Sequence, residues 1–250
     1  MQKDDILRTS LIWLILHELC HYEMDHFRVA GQRGDRARHE IRRFGLVCRT
    51  PAPNAYFNTV TDTDHSLVRP CLELQADHEA IDYVLGDGEN HDPAELRLRA
   101  AAIFGVMVLI DRADCRVAGG HCSHPSTTAR VFQLLGHLIQ LPLIRRRIGA
   151  NPDGLSATTQ QGALAHEICQ TYRTETILHV LFDAIEIASV TGAKKIAADL
   201  SDPAGFIADI GTAMTKGVSA EAQYRTDGAR EWATLALVNE RIRVELGWSV

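Results

Sequence analysis

The sequence lacks any apolar run long enough to cross a membrane. Its longest runs, residues 11–16 and 100–110, fall well short of the roughly 20 residues that a membrane-spanning helix needs. The opening Met-Gln-Lys-Asp-Asp carries acids where the first region of a signal peptide would be basic. We therefore expect a cytoplasmic protein with no membrane span.

The sequence also lacks a regular cysteine framework and an excess of basic residues. Its six cysteines include no Cys-x-x-Cys pair, which in a chain of 250 residues favours reduced thiols in a cytosol-like compartment. The net charge of −6 argues against general nucleic-acid binding. The length allows one hydrophobic core, or one core with a smaller companion.

A short motif lies within the apolar beginning of the chain. His17-Glu18-Leu19-Cys20-His21 reads His-Glu-x-x-His inside a run of helical length. Residues four apart share one face of a helix, so His17 and His21 direct their imidazoles to a common point. Two imidazoles at this spacing suit a tetrahedral Zn²⁺ that has a third protein ligand and keeps one position for water. Glu18 is placed to reach that water as a general base, which indicates metal-assisted hydrolysis.

A candidate third ligand lies in a second predicted helix, around residues 71–81. Glu73 and Asp77 are four residues apart and therefore share a face of that helix. The Glu73 carboxylate would complete a site with the two histidines. Asp77 would accept the outer N–H of a ligating histidine and fix its tautomer. The alternative is an amphipathic helix whose acidic side chains are solvated.

A third motif, His124-Pro125-Ser126 followed by Arg130, completes a pattern that resembles a known family. Residues 10 to 135 are similar to the gluzincin metallopeptidases of the CAAX-prenyl-protease and heat-shock-protease type, and to the soluble Lit-type phage-exclusion peptidases. The residues that carry this resemblance form three groups: His17-Glu18-x-x-His21, Glu73-x-x-Ala76-Asp77-x-x-Ala80, and His124-Pro125-Ser126 with Arg130.

The resemblance implies a zinc-dependent endopeptidase that acts on a protein or peptide substrate. It implies that His17, His21 and Glu73 bind the zinc ion and that Glu18 is the general base. It also implies that His124 and Arg130 face the cleft, where the pair is a candidate for holding the oxyanion of the tetrahedral intermediate. Two features depart from the family: this chain has no long apolar span, and only 16 residues precede His17, where zinc peptidases usually have a substrate-binding sheet.

The residues themselves give a physical reason for His124. Pro125 fixes φ for a first helical turn, with Ser123 or His124 at the cap position. His124 would then lie at the positive end of a helix dipole, where a developing anion is stabilised. The alternative is that His124 only caps its helix while Arg130 pairs with an acid. His121 is a rival metal contact.

Two polar residues after the first motif also have two interpretations. Asp25 and His26 follow His21 by four and five residues. In one interpretation Asp25 supports a ligating histidine and His26 lies beside the cleft. In the other, both are exposed polar residues at the end of the helix.

The whole pattern predicts a mainly α protein. Residues 1–147 would form a zincin-like metallopeptidase core of packed helices with at most a small sheet, and residues 148–250 a helical region that packs on or covers it. A loop around residues 51–66 would contain a short strand near 55–60. Helices are predicted from Asp4, Asp5 or Thr9-Ser10 to about 27, and over 71–84, 93–114, 125–144, 163–190, 203–216 and 229–246.

Three functions remain open from the sequence. The leading hypothesis is a zinc endopeptidase. The second is a catalytically silent zinc-binding partner or sensor module built on a zincin scaffold, with residues 155–250 as its functional part. The third is a helical domain without a metal. No residue pattern indicates an oligomeric state or a particular substrate.

Overall fold

The computed structural model describes residues 3–24, 26, 62–86, 92–114, 124–149, 172–217 and 223–245. Within these ranges the chain forms eight α-helices and one short π-helical segment, with no β-strand. The predicted mainly α fold class is therefore confirmed. The strand predicted near residues 55–60 lies outside the described part of the chain.

The helices divide into four long ones before residue 150 and four after residue 177. They are α1 Lys3–Glu23, α2 Asp62–Leu85, α3 Pro93–Asp114, α4 Thr127–Gly149, α5 Leu178–Thr191, α6 Lys194–Asp199, α7 Pro203–Lys216 and α8 Asp227–Glu245, with the π-helical segment Arg173–Ile177 directly before α5. None of the described helices is both long and apolar enough to span a bilayer. Helix α6 was not predicted, because its six residues are too few to show a helical period.

Two helices begin earlier than the sequence predicts. Helix α1 is already helical at Lys3, so Thr9-Ser10 lie inside it, and the Ser10 hydroxyl donates a hydrogen bond to the carbonyl of Ala102 at 3.1 Å. Helix α2 begins at Asp62, so the loop predicted up to residue 66 is wrong over its last five residues. It continues through Pro70, whose ring ordinarily disfavours a helix interior. Packing of the flanking apolar side chains against another helix offsets that penalty.

Helix α3 is the central helix of the core, as predicted. It packs against α1, α2, α4 and α5, and its apolar side chains are buried nearly all round. Asp92 caps its N-terminus by accepting a hydrogen bond from the Ala94 N–H at 3.2 Å, and Pro93 occupies the first helical position. The capping and burial that the sequence predicts for this helix are confirmed.

Helix α8 closes the fold over α2 and α4. A separate apolar cluster joins its Leu235, Val238 and Ile242 to the side chains of α2 around Cys71 and Leu72. The main core cluster also draws residues from both sides of the boundary predicted at 147, and that boundary falls within the last turn of α4. The division into two domains stays a prediction.

We predict that Leu235→Ala lowers the free energy of unfolding by about 2–5 kcal/mol, because the substitution leaves a cavity between α8 and α2. Glu240→Ala, at an exposed position of the same helix, is the matched control and should change it by less than about 0.5 kcal/mol. Urea denaturation followed by circular dichroism measures both. Equal losses in the two variants would contradict this packing.

Candidate metal centre

Helix α1 places both motif histidines on its buried face. His17 and His21 are one turn apart, and their Nε2 atoms lie 3.2 Å from each other. Trp13, one turn before His17, is also buried, with its ring centroid 5.7 Å from that of His17. The three rings form one stripe along the helix, and this packing restricts the orientation of the His17 imidazole.

Helix α2 brings the Glu73 carboxylate to the same point. Glu73 Oε2 lies 3.4 Å from His17 Nε2, and Glu73 Oε1 lies 3.6 Å from His21 Nε2. The small residues Ala76 and Ala80 are fully buried on α2, which packs closely against α1. The three side chains that the sequence pairs as metal ligands therefore converge, with all ligand atoms within 4.8 Å of one another.

The spacing of these atoms fits a tetrahedral metal ion. Ligand atoms bound to Zn²⁺ at about 2.0–2.2 Å in a tetrahedral arrangement lie about 3.3–3.6 Å from one another. The 3.2 Å between the two Nε2 atoms and the 3.4 Å from His17 Nε2 to Glu73 Oε2 match two edges of such a tetrahedron, while the 3.6 Å contact of His21 Nε2 is made with the other carboxylate oxygen, Oε1. Two imidazoles and one carboxylate are also the donor set of metal sites that keep a fourth position open. The group can therefore hold a metal ion.

A buried carboxylate lies behind His17. Asp77 Oδ1 is 3.0 Å from His17 Nδ1, on the side of the ring away from Glu73. Asp77 is fully buried, so its negative charge depends on nearby donors. This is the position that the sequence predicts for Asp77, one helical turn beyond Glu73.

Arg130 supplies the positive charge beside these two acids. Its Nε lies 3.3 Å from Asp77 Oδ2, and its Nη2 lies 3.4 Å from Glu73 Oε2. The side chain is only 5% exposed. Arg130 therefore pairs with acids, which was the alternative interpretation of this residue. Its predicted contact with an oxyanion in the cleft stays a prediction.

His124 lies at the edge of the same group. Its Nδ1 is 3.1 Å from Glu73 Oε2, and 58% of its side chain is exposed. The helix that follows begins at Thr127, and its cap is Ser126, whose hydroxyl accepts a hydrogen bond from the Ala129 N–H at 3.2 Å. The prediction that Ser123 or His124 caps this helix is therefore wrong. The short hydroxyl side chain of Ser126 reaches the third N–H of the helix, which is the usual capping hydrogen bond.

His21 has an outer partner that the sequence left undecided. His26 is buried, with its Nδ1 2.9 Å from His21 Nδ1 and its Nε2 2.9 Å from Gln75 Oε1. The interpretation of His26 as an exposed residue at the helix end is therefore wrong. Gln75 was missed altogether, since nothing in its spacing links it to a residue 49 positions earlier. Asp25, His121 and Ser123 lie outside the described residues.

Glu18, unlike the two motif histidines, is exposed to solvent. It follows His17 directly on α1, and its side chain emerges beside the buried histidine stripe. An exposed carboxylate next to a metal ligand remains accessible to water and to a substrate. Its predicted role as a general base stays a prediction.

The acids and histidines shift one another's pKa values. Burial alone lowers the pKa of His17, but the Asp77 and Glu73 carboxylates outweigh it and raise the pKa from 6.5 to about 9. Burial tends to raise the pKa of Glu73, yet the neighbouring imidazoles of His124, His17 and His21 hold it well below its usual range. Burial and the neighbouring His21 lower the pKa of His26 to about 4, so its imidazole is neutral at pH 7.

Comparisons with protein-family models, with curated proteins and with solved structures found no match for this chain. The resemblance to gluzincin peptidases therefore depends on the three sequence motifs alone. Membership of that family stays a prediction.

We predict that metal binding near pH 8 releases about one proton from His17, because a pKa of about 9 keeps its imidazole protonated and a metal needs the neutral form. Metal affinity should therefore rise with pH and level off above about 9. Calorimetry in buffers of different ionisation enthalpy measures the release. Asp77→Asn removes one source of the raised pKa of His17 and should reduce the proton release. Asp82→Asn should not, because Asp82, on the same helix as Asp77, contacts His137 instead. A proton release independent of pH would contradict the prediction.

Proposed function

We propose that this chain is a zinc-dependent endopeptidase, with the metal held by His17, His21 and Glu73 and with Glu18 as general base. The observation that supports this most strongly is the convergence of these three side chains, which bring one ligand atom each to within 4.8 Å of one another. The outer nitrogens of both histidines also face buried polar partners, which is how metal-ligating imidazoles are usually oriented. A donor set of two histidines and one glutamate is characteristic of hydrolytic rather than structural zinc sites.

Each remaining residue has a role in this proposal that follows from its position. A bound zinc ion would polarise the scissile carbonyl and lower the pKa of a water molecule to roughly 7. Glu18 would accept a proton from the attacking water and pass it to the leaving amine. His124, largely exposed beside Glu73, would donate a hydrogen bond to the developing oxyanion. Arg130, buried between two carboxylates, would orient Glu73 and Asp77.

An exposed apolar surface on α1 supports a protein or peptide substrate. Leu11, Ile15, Leu19 and Tyr22 are each at least half exposed, and helical spacing places them along the same side as Glu18. Such a surface would contact apolar side chains of a substrate on either side of the cleaved bond. The substrate class in this proposal is accordingly a polypeptide with apolar residues near the cleavage site.

The second candidate is a catalytically silent metal sensor. The observation that favours it is the hydrogen-bonded connection from His21 through His26 and Gln75 to Asn239 on the C-terminal helix α8. Through this connection, metal binding would affect the position of α8 without any hydrolysis.

We predict that Glu18→Gln keeps the bound zinc but lowers peptide hydrolysis by about 10²–10⁴-fold, because the amide cannot accept the proton of the attacking water. Glu23→Gln, exposed one turn further along α1, is the matched control and should retain both properties. Digestion of a peptide library, with zinc content measured by mass spectrometry, tests the pair. A Glu18→Gln variant as active as the parent would contradict the role of Glu18. A parent that binds zinc but cleaves no peptide would favour the silent sensor.

We also predict that zinc at about 100 times its Kd raises the free energy of unfolding by about 2.7 kcal/mol, since it binds only the folded site. Glu73→Ala should largely remove this stabilisation, while Glu79→Ala, exposed on the same helix, should keep it. Thermal unfolding with zinc and with a chelator provides the comparison. If zinc does not raise the unfolding temperature of the parent protein, the remaining hypothesis is a helical domain that binds no metal.

A further inference from the structure

A buried line of polar groups connects one metal ligand to the C-terminal helix. It runs from His21 Nδ1 to His26 Nδ1 at 2.9 Å, and from His26 Nε2 to Gln75 Oε1 at 2.9 Å. The Gln75 amide then donates a hydrogen bond to Asn239 Oδ1 on α8. His21, His26 and Gln75 are buried, so the hydrogen bonds of this line satisfy polar groups that are costly to bury without partners.

The orientation of the Gln75 amide determines which nitrogen of each imidazole carries a proton. Gln75 Oε1 can only accept, so His26 Nε2 must donate to it. A neutral His26 then has a lone pair on Nδ1, and His21 must donate its Nδ1–H across the 2.9 Å contact. This leaves the lone pair of His21 on Nε2, the atom that points at His17 and Glu73.

The hydrogen bonds of this line could also run in the opposite donor-to-acceptor direction. If both amides turned over, Gln75 would donate to His26 and His26 would donate to His21. His21 would then carry its proton on Nε2 and could not bind a metal through that atom. The two directions differ in metal competence although they contain the same hydrogen-bond partners.

We propose that His26, Gln75 and Asn239 are positioning residues that fix the Nδ1–H tautomer of His21 and so hold its Nε2 ready for a metal ion. This inference rests on the metal site of the proposed function but not on peptide hydrolysis. Asn239 on α8 takes part because its Oδ1 accepts from the Gln75 amide, in the arrangement that turns Gln75 Oε1 toward His26. The C-terminal helix is thus part of the metal centre.

The test measures histidine tautomers by ¹⁵N nuclear magnetic resonance in the metal-free protein, and zinc affinity by competition with a chelator. We expect the parent to show Nδ1–H on His21 and Nε2–H on His26. Gln75→Leu removes the acceptor and should abolish the preference for this tautomer, with zinc affinity reduced about 10–100-fold. Gln75→Glu keeps an acceptor for His26 Nε2–H but loses the hydrogen bond to Asn239 Oδ1, so it should preserve the tautomer and bind zinc more tightly than Gln75→Leu.

Gln133→Leu is the matched control, because Gln133 is also buried and donates to the Leu74 carbonyl on α2 at 2.8 Å, next to Gln75. It should leave the His21 tautomer and zinc affinity unchanged even if the protein is less stable. An Nε2–H tautomer of His21 in the parent would overturn the inference, and so would equal effects of Gln75→Leu and Gln133→Leu. An absence of peptide hydrolysis would contradict only the proposed peptidase function, because the histidine tautomers and the zinc affinity are measured without any hydrolysis.

Discussion

The close contact between α1 and α2 is the constraint on which the candidate site depends. Ala76 and Ala80 leave little side-chain bulk on the buried face of α2, so the Glu73 carboxylate reaches the Nε2 atoms of two histidines on α1. A carboxylate buried this far would be costly without compensating charge and hydrogen bonds. The helix packing and the polar arrangement therefore require each other, and larger residues at these alanines would separate the ligands.

The charges around the site balance when the His17 imidazole is protonated. Glu73 and Asp77 are both carboxylates in contact with Arg130, which compensates one of them. In the metal-free protein the raised pKa of His17 supplies the second positive charge. A divalent ion in place of that proton would leave one excess positive charge at the centre, and that charge would favour an anion at the fourth position. The same electrostatics thus explain protonated His17 and suit hydrolytic chemistry.

The sequence predicts the parts of the site that depend on local spacing. His17 with His21, and Glu73 with Asp77, are four residues apart, and a helix places each pair on one face whatever surrounds it. His26, Gln75 and Asn239 were not predicted to connect, because their contacts span 49 and 164 residues and no helical period relates them. The cap at Ser126 could have been predicted from the sequence, since serine is a preferred capping residue and its hydroxyl accepts from the N–H three positions later, here that of Ala129. The early start of α2 could not have been predicted in this way, because the residues near its beginning pack against α8, which is distant in the sequence.

Helix α8 shows why the site cannot be assigned to the first part of the chain alone. Its Asn239 accepts from Gln75, and Glu231 accepts a hydrogen bond from the Ser126 N–H at 2.8 Å, next to the helix that carries Arg130. Without α8 these two part-buried donors would lose their hydrogen-bond partners. The apolar contacts of Leu235 with α2 would be lost at the same time. Helices α2 and α4, which meet α1 at the candidate metal site, are therefore also held in place by their contacts with α8.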